Sequence, residues 1–160
     1  MFDIAPDHDL PKPALYSALA QASAALIDGE RDKIANMANV AACIWQFVPD
    51  INWAGFYRVV ADELVLGPFM GKPACVRIPV GQGVCGTAAA LGKAQILPDI
   101  SAFPGHIACD ANSRSELVVP IVRGSAVLGV IDLDSASLGR FDEEDAAGIG
   151  LLAHILGEVF

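Results

Sequence analysis

The apolar residues of this chain change their spacing at Pro49, and that change constrains its architecture more than any other feature. Upstream, Leu15, Leu19, Ala22 and Leu26 recur at helical intervals, entered through Pro11 and Pro13 and stopped around Asp28-Gly29, which predicts an amphipathic helix. A second helix is predicted over Arg31 to Phe47, with Ile34, Met37, Ala38, Ala41, Ile44 and Trp45 on one broad face. Downstream, short apolar runs punctuated by Gly and Pro read as strands: Trp53 to Val60, Leu64 to Phe69 and Val76 to Val80. A glycine-rich turn at Gly81 to Gly83 opens a short helix over Val84 to Leu91, and a small strand follows at Ala94 to Leu97. Leu117 to Val122 and Ala126 to Leu133 form a strong strand pair joined tightly through Arg123-Gly124. A last helix follows Asp142 as N-cap, with Glu143, Glu144 and Asp145 at the positive end of its dipole and Ile149, Leu152, Leu156 and Val159 as its buried stripe. Helices, then hairpin-linked strands, then a helix predict an α+β fold, a central and largely antiparallel sheet flanked by helices. No repeat or linker divides residues 1–160, so one domain is expected, with residues 1–12 as a flexible lead-in.

A chain of 160 residues with 54% hydrophobic and 18% charged side chains can fill a packed interior. No apolar run approaches the roughly 18–20 residues of a membrane helix. The N-terminal MFDIAPDHDL has acids and prolines where a secretory signal has a basic and then an apolar region, so a cytoplasmic location is expected. A net charge of −9, with no local Lys/Arg stripe, disfavours nucleic acid. The four cysteines are then expected to be reduced at rest rather than to form a structural framework, and each needs its own explanation.

Cys75 follows Pro73-Ala74 in a turn, Cys85 sits in the first turn of the short helix, and Cys109 lies in a long segment, Pro98 to Ser115, that has no clear period. Long aperiodic segments inside compact domains are often functional. Cys43 lies inside the second helix and is read as structural. Any of these thiols alone reads as a small buried hydrophobe, but three on turns and loops suggest thiol chemistry. Local electrostatics favours Cys85 as the most activated, because helix N-terminal amides stabilise a thiolate. Cys109 has His106 and Arg114 nearby in sequence, opposed by Asp110.

Strand alternation puts Leu128, Val130, Asp132 and Asp134 on one face. The two carboxylates either cap a strand entering a turn or, joined by Glu116 on the neighbouring strand, form a site for an ammonium group or a proton donor. Trp53, Gly55 and Tyr57 also share a strand face, either as core or as a wall for a small apolar group. GQGVCG at 81–86 matches a dinucleotide fingerprint literally, but Pro79 interrupts the strand before it and no parallel crossover follows. Cys75, Cys85, Cys109 and His106 supply a nominal zinc set whose spacings do not fit structural knuckles.

Three stretches, LVLGPFMGKPACVRIPVGQGVCGTA at 64–88, FPGHIACDANSRSE at 103–116 and GVIDLDS at 129–135, resemble the free methionine-(R)-sulfoxide reductases, which are GAF domains. The likeness runs from NWAGFY to RFDEED in order and spacing. It implies that Cys109 is the nucleophile, Cys75 the usual resolving thiol and Cys85 an auxiliary one, against the local electrostatic preference. It further implies that Trp53 and Tyr57 wall the substrate methyl group and that Glu116, Asp132 and Asp134 form the acidic set. The implied reaction converts free methionine (R)-sulfoxide to methionine through a cysteine sulfenic acid and an intramolecular disulfide. No bound metal or organic cofactor is expected, thioredoxin is the external reductant, and the resemblance leaves room for a homodimer. The substrate carboxylate is assigned to backbone amides around Ser113 to Ser115. A non-catalytic GAF module that senses a small ligand is the alternative of a different class.

Overall fold

The structure is a computed structural model in which residues 5–103 and 112–160 are described. Helix α1 spans Lys12–Ile27 after Pro11 at its N-cap, with Pro13 in the first turn, where its missing amide costs no helical hydrogen bond. Helix α2, Lys33–Phe47, is capped by the Asp32 carboxylate, which accepts the Ile34 and Ala35 amides at 2.8 and 3.0 Å. Strands β1 (Trp53–Val60), β2 (Glu63–Gly71) and β3 (Arg77–Pro79) precede helix α3 (Gly83–Leu91). Strand β4 (Gln95–Leu97), a 3-10 turn at Ile100–Ala102, strands β5 (Ser115–Arg123) and β6 (Ala126–Ser135) and helix α4 (Glu143–Val159) complete the order.

All strand pairings are antiparallel and run β3-β2-β1-β6-β5-β4 across one sheet, as the hairpin-linked runs predict. The β5–β6 hairpin closes through Gly124, whose φ of +61° suits a turn with glycine first. Helix α3 connects β3 at one edge to β4 at the other. It must therefore cross the whole sheet, which brings its first turn over the central strands. Helices α1, α2 and α4 cover the opposite face.

Because side chains alternate along a strand, the sheet separates two cores. Ala54, Phe56, Leu117, Val119, Ile121, Ile131 and Leu133 pack against α1, α2 and α4. Trp53, Tyr57, Val118 and Val130 face α3 together with Leu64, Ile78, Val84 and Cys85. Each large apolar side chain fully buried here contributes about 1.5–3 kcal/mol.

Two details of the expected packing differ. In α2 the inward stripe is Met37, Val40, Ala41, Ile44 and Phe47, while Ile34 and Trp45 are 43% and 36% exposed. The helix lies against both α1 and the sheet, so the centre of its buried face rotates towards Val40 and Phe47. Leu128 packs with the helix-side core rather than beside Val130. A register shift between Ile121 and Val122 places an extra residue in β6 at that point and reverses the alternation. Cys43 is buried in the helix-side core, and burial pushes its thiol pKa up.

Asp142 caps α4 as expected, in a reciprocal capping box with Asp145. Asp145 does more than favour the dipole. Fully buried, it accepts from Tyr16 Oη at 2.8 Å, Lys12 Nζ at 2.7 Å, Arg140 Nη1 at 3.1 Å and the Asp142 amide at 2.8 Å. Arg140 also donates to the Pro49 carbonyl. One carboxylate thus joins α1, the end of α2 and the start of α4. Asp145→Ala would leave these donors without a buried acceptor and should cost about 3–5 kcal/mol. The expected readout is a lower denaturant midpoint at unchanged slope.

Candidate functional site

Strand register assembles the site. Across β1 and β6, Trp53 lies opposite Asp134, Gly55 opposite Asp132 and Tyr57 opposite Val130. Across β5 and β6, Glu116 lies opposite Asp134. Opposite residues in an antiparallel ladder share a face with Cβ atoms about 4.5–5.5 Å apart, so an aromatic column on β1 stands beside an acidic column on β6 that Glu116 extends onto β5.

Gly55 is what allows the aromatic column to close. A Cβ there would sit 2.4 Å from Phe69 Cβ and 2.6 Å from Trp53 Cη2. Without one, Trp53 lies over the strand and stacks on Phe69, with centroids 5.3 Å apart and planes at 13°, and on Tyr57 at 6.1 Å and 24°. Phe69 is a third wall residue that strand alternation did not reveal. Its signal is its place opposite Gly55 across β1 and β2, because a strand glycine marks a close approach. The wall's polar tips hold the segment that carries Cys75: Trp53 Nε1 donates to the Lys72 carbonyl and Tyr57 Oη to the Cys75 carbonyl, each at 3.0 Å. The Cys75 side chain is partly buried against this α3-side core.

Cys85, in the first turn of α3, is delivered onto the acids by the helix that crosses the sheet. Its sulfur and one carboxylate oxygen each from Glu116 and Asp132 lie within 4.8 Å of one another, and all three residues are buried. The location at a helix start suggested a lowered thiol pKa. The structure reverses that expectation: burial, then the charges of Asp132 and Glu116, push the Cys85 thiol well above its ordinary range. The helix-end field is outweighed by desolvation and facing carboxylates. Asp132 is raised well above the usual carboxyl range too, by burial first and then by Glu116 and Asp134, against a partly offsetting hydrogen bond from Cys85. Asp132 Oδ1 is buried and has no hydrogen-bond partner among the described residues. Burial and the facing charges shift Asp132 towards its protonated form; an ammonium placed among these oxygens would favour the ionised form.

Cys109 and His106 lie outside the described residues. The flanks of that segment rest on the site face: Phe103 packs with the α3-side core, and the Ile100 amide donates to the Arg114 carbonyl at 3.0 Å. The nominal zinc set of Cys75, Cys85, Cys109 and His106 falls partly outside the described residues, among which the compact donor group is Cys85, Glu116 and Asp132. The 81–86 glycines serve turn packing: the Gly81 amide donates to the Gly86 carbonyl at 2.8 Å, and a Cβ on Gly86 would meet the Pro79 carbonyl oxygen at 2.5 Å. With β3 antiparallel to β2 and α3 leading to the far edge, the parallel crossover of a dinucleotide site is absent there. The amides around Ser113 to Ser115 are only partly available. That of Arg114 is spent on the Ser135 carbonyl at 2.7 Å, and Ser115 pairs with Ser135 in the sheet. Among the described residues no helix is long and apolar enough to cross a membrane.

The GAF domain family pattern matches residues 32–160. The free methionine-R-sulfoxide reductase of Escherichia coli (strain K12) is 49% identical over 148 residues, covering 92% of this chain and 90% of the relative. The enzyme of the same name from Saccharomyces cerevisiae is 42% identical over 158 residues, 94% of this chain and 88% of its own. The X-ray structure of the free methionine-R-sulfoxide reductase from Neisseria meningitidis, in complex with its substrate, superposes with a TM-score of 0.92 at 43% identity, covering 99% of this chain and 96% of that one.

The folded state binds the Asp132 proton more tightly than the unfolded chain does. Its contribution to stability is therefore complete below the ordinary carboxyl range and is lost as pH rises through the raised folded value. Asp132→Asn, which cannot ionise, should exceed the parent in stability by about 1–2 kcal/mol near pH 8 and lose that margin by about pH 4. Thermal midpoints across pH measure this directly.

Proposed function

Because the chain belongs to the GAF domain family and, within it, to the free methionine-(R)-sulfoxide reductases, we propose that it reduces the free amino acid's sulfoxide through Cys109, in the cytoplasm, with thioredoxin as reductant. Its activity class is that of an oxidoreductase acting on methionine sulfoxide. The observation that carries the residue assignment is the adjacency of the stacked wall, Trp53, Phe69 and Tyr57, to the acids Asp132, Asp134 and Glu116 on one sheet face.

The wall seats the methyl group and side chain of the substrate. The acids hold its α-ammonium, which a methionine inside a polypeptide lacks, so this half of the site selects the free amino acid. The Cys109 thiolate attacks the sulfoxide sulfur while one carboxyl of the acid set, kept protonated beside those that pair with the ammonium, gives its proton to the oxygen. The substrate's sulfur–oxygen bond breaks as the protonated oxygen passes to the Cys109 sulfur, the transient bond between the two sulfurs is released, and the thioether leaves as methionine with Cys109 as a sulfenic acid. A second thiol attacks that sulfur and expels water, forming a disulfide. Cys75 is better suited to this than Cys85, whose thiol is buried and held protonated. Exchange with a dithiol protein returns both thiols. Two thiols thus supply both electrons, and the sum, sulfoxide plus two thiols to methionine, water and disulfide, balances without a bound metal or organic cofactor.

Reduced protein mixed with free methionine (R)-sulfoxide, without a recycling system, should release about one methionine per chain and form a disulfide that contains Cys109, read by peptide mass mapping. Cys109→Ser should lower release by roughly a thousandfold or more, and Cys43→Ser should leave it nearly intact. A disulfide that excludes Cys109 contradicts the assignment of the nucleophile, and absence of methionine contradicts the activity and favours a ligand-sensing module.

A further inference from the structure

We propose that Cys85, Glu116 and Asp132 form a binding site for a single zinc-class divalent cation, mutually exclusive with the substrate ammonium group. The exclusivity rests on the functional reading above; the ion site itself does not.

The donor set has the chemistry for it. Zinc takes thiolate sulfur at about 2.3 Å and carboxylate oxygen at about 2.0–2.2 Å, and three protein donors leave a fourth position open. Sulfur with two oxygens suits a borderline ion better than magnesium or calcium, which take oxygen alone. Tetrahedral coordination needs donors roughly 3.3–3.6 Å apart. The sulfur and two oxygens lie within 4.8 Å of one another, so closing around an ion asks them to draw together by roughly 1 Å. The residues come from three elements, α3, β5 and β6, which hold them from two sides of one point.

The second observation is Asp132 itself. It is 7% exposed, and its Oδ1 is buried with no hydrogen-bond partner among the described residues. A buried carboxylate oxygen without a donor is costly, and a cation held by the Asp132 carboxyl would relieve that cost. On entry of the ion the Cys85 thiol proton, and any proton held by the carboxyls, leaves to solvent, so charge balances and no redox change occurs. An ion there would occupy the acids that the α-ammonium needs.

Cobalt(II) serves as a spectroscopic substitute for zinc. Reduced protein titrated with cobalt(II) should bind one equivalent and show a thiolate-to-metal charge-transfer band, which zinc then displaces. The double variant Cys75→Ser/Cys109→Ser should keep the band, whereas Cys85→Ser should lose it and bind zinc at least about tenfold more weakly. Glu116→Gln, with its fold checked by circular dichroism, should weaken zinc about tenfold as well. A band that vanishes in the double variant, or zinc affinity unchanged in Cys85→Ser and Glu116→Gln, overturns the site. Free methionine (R)-sulfoxide at saturation should release the bound cobalt. A band that persists at saturation overturns the exclusivity while leaving the ion site standing.

Discussion

The pairing of β6 between β1 and β5 is the constraint from which the rest of the site follows. It sets Asp134 between Trp53 and Glu116 and Asp132 beside Gly55. Because side chains alternate along these strands outside the bulges, a slip of one residue at either ladder would turn the acids or the aromatics into the helix-packed core. That outcome is opposed from the other side of the sheet, where Phe56, Leu117, Ile131 and Leu133 are fully buried. The same apolar packing that stabilises the fold therefore holds the polar face in register.

On that face the protein accepts an electrostatic cost. Asp132, Glu116 and Cys85 are buried together under α3, and Asp132 and Cys85 are both shifted towards their protonated forms. Groups in that state are unfavourable as a resting ion cluster and favourable as a receptor for a positive charge. The neighbouring wall has the opposite character, apolar and stacked, with its only polar tips turned to the Lys72 and Cys75 carbonyls. A short zwitterion with a methyl-bearing sulfur matches both halves. Cys75 is tied to this wall through its own carbonyl, so the thiol proposed to close the disulfide and the surface proposed to seat the methyl belong to one hydrogen-bonded unit.

Much of this was legible from periodicity. Period-two spacing alone put Trp53 with Tyr57 and Asp132 with Asp134, and the capping chemistry of Asp142 follows from its place before an acidic first turn. What sequence reading missed depended on contacts between distant segments. Phe69 joins the wall only through its register with Gly55, and Leu128 leaves its expected face because of one bulge. Asp145 becomes a hub because Tyr16 and Lys12 arrive from the far end of the chain. Cys85 is the sharpest case. A local rule about helix ends gives the wrong sign, since burial first, and then charges from β5 and β6, outweigh the helix end. The resemblance of the surrounding motifs implies Cys109 as nucleophile instead, an assignment that rests on that resemblance and not on a local field.

The central claim is that the carboxylates of β5 and β6 recognise a free α-ammonium beside the aromatic wall. It is tested most directly by comparing free methionine (R)-sulfoxide with its N-acetyl derivative as substrates for the thioredoxin-recycled protein. Acetylation removes the positive charge and leaves the sulfoxide and methyl group unchanged. The account predicts a loss in kcat/KM of about a hundredfold or more, the order expected when buried charge-assisted hydrogen bonds lose their partner. Equal kcat/KM for the two substrates would contradict it.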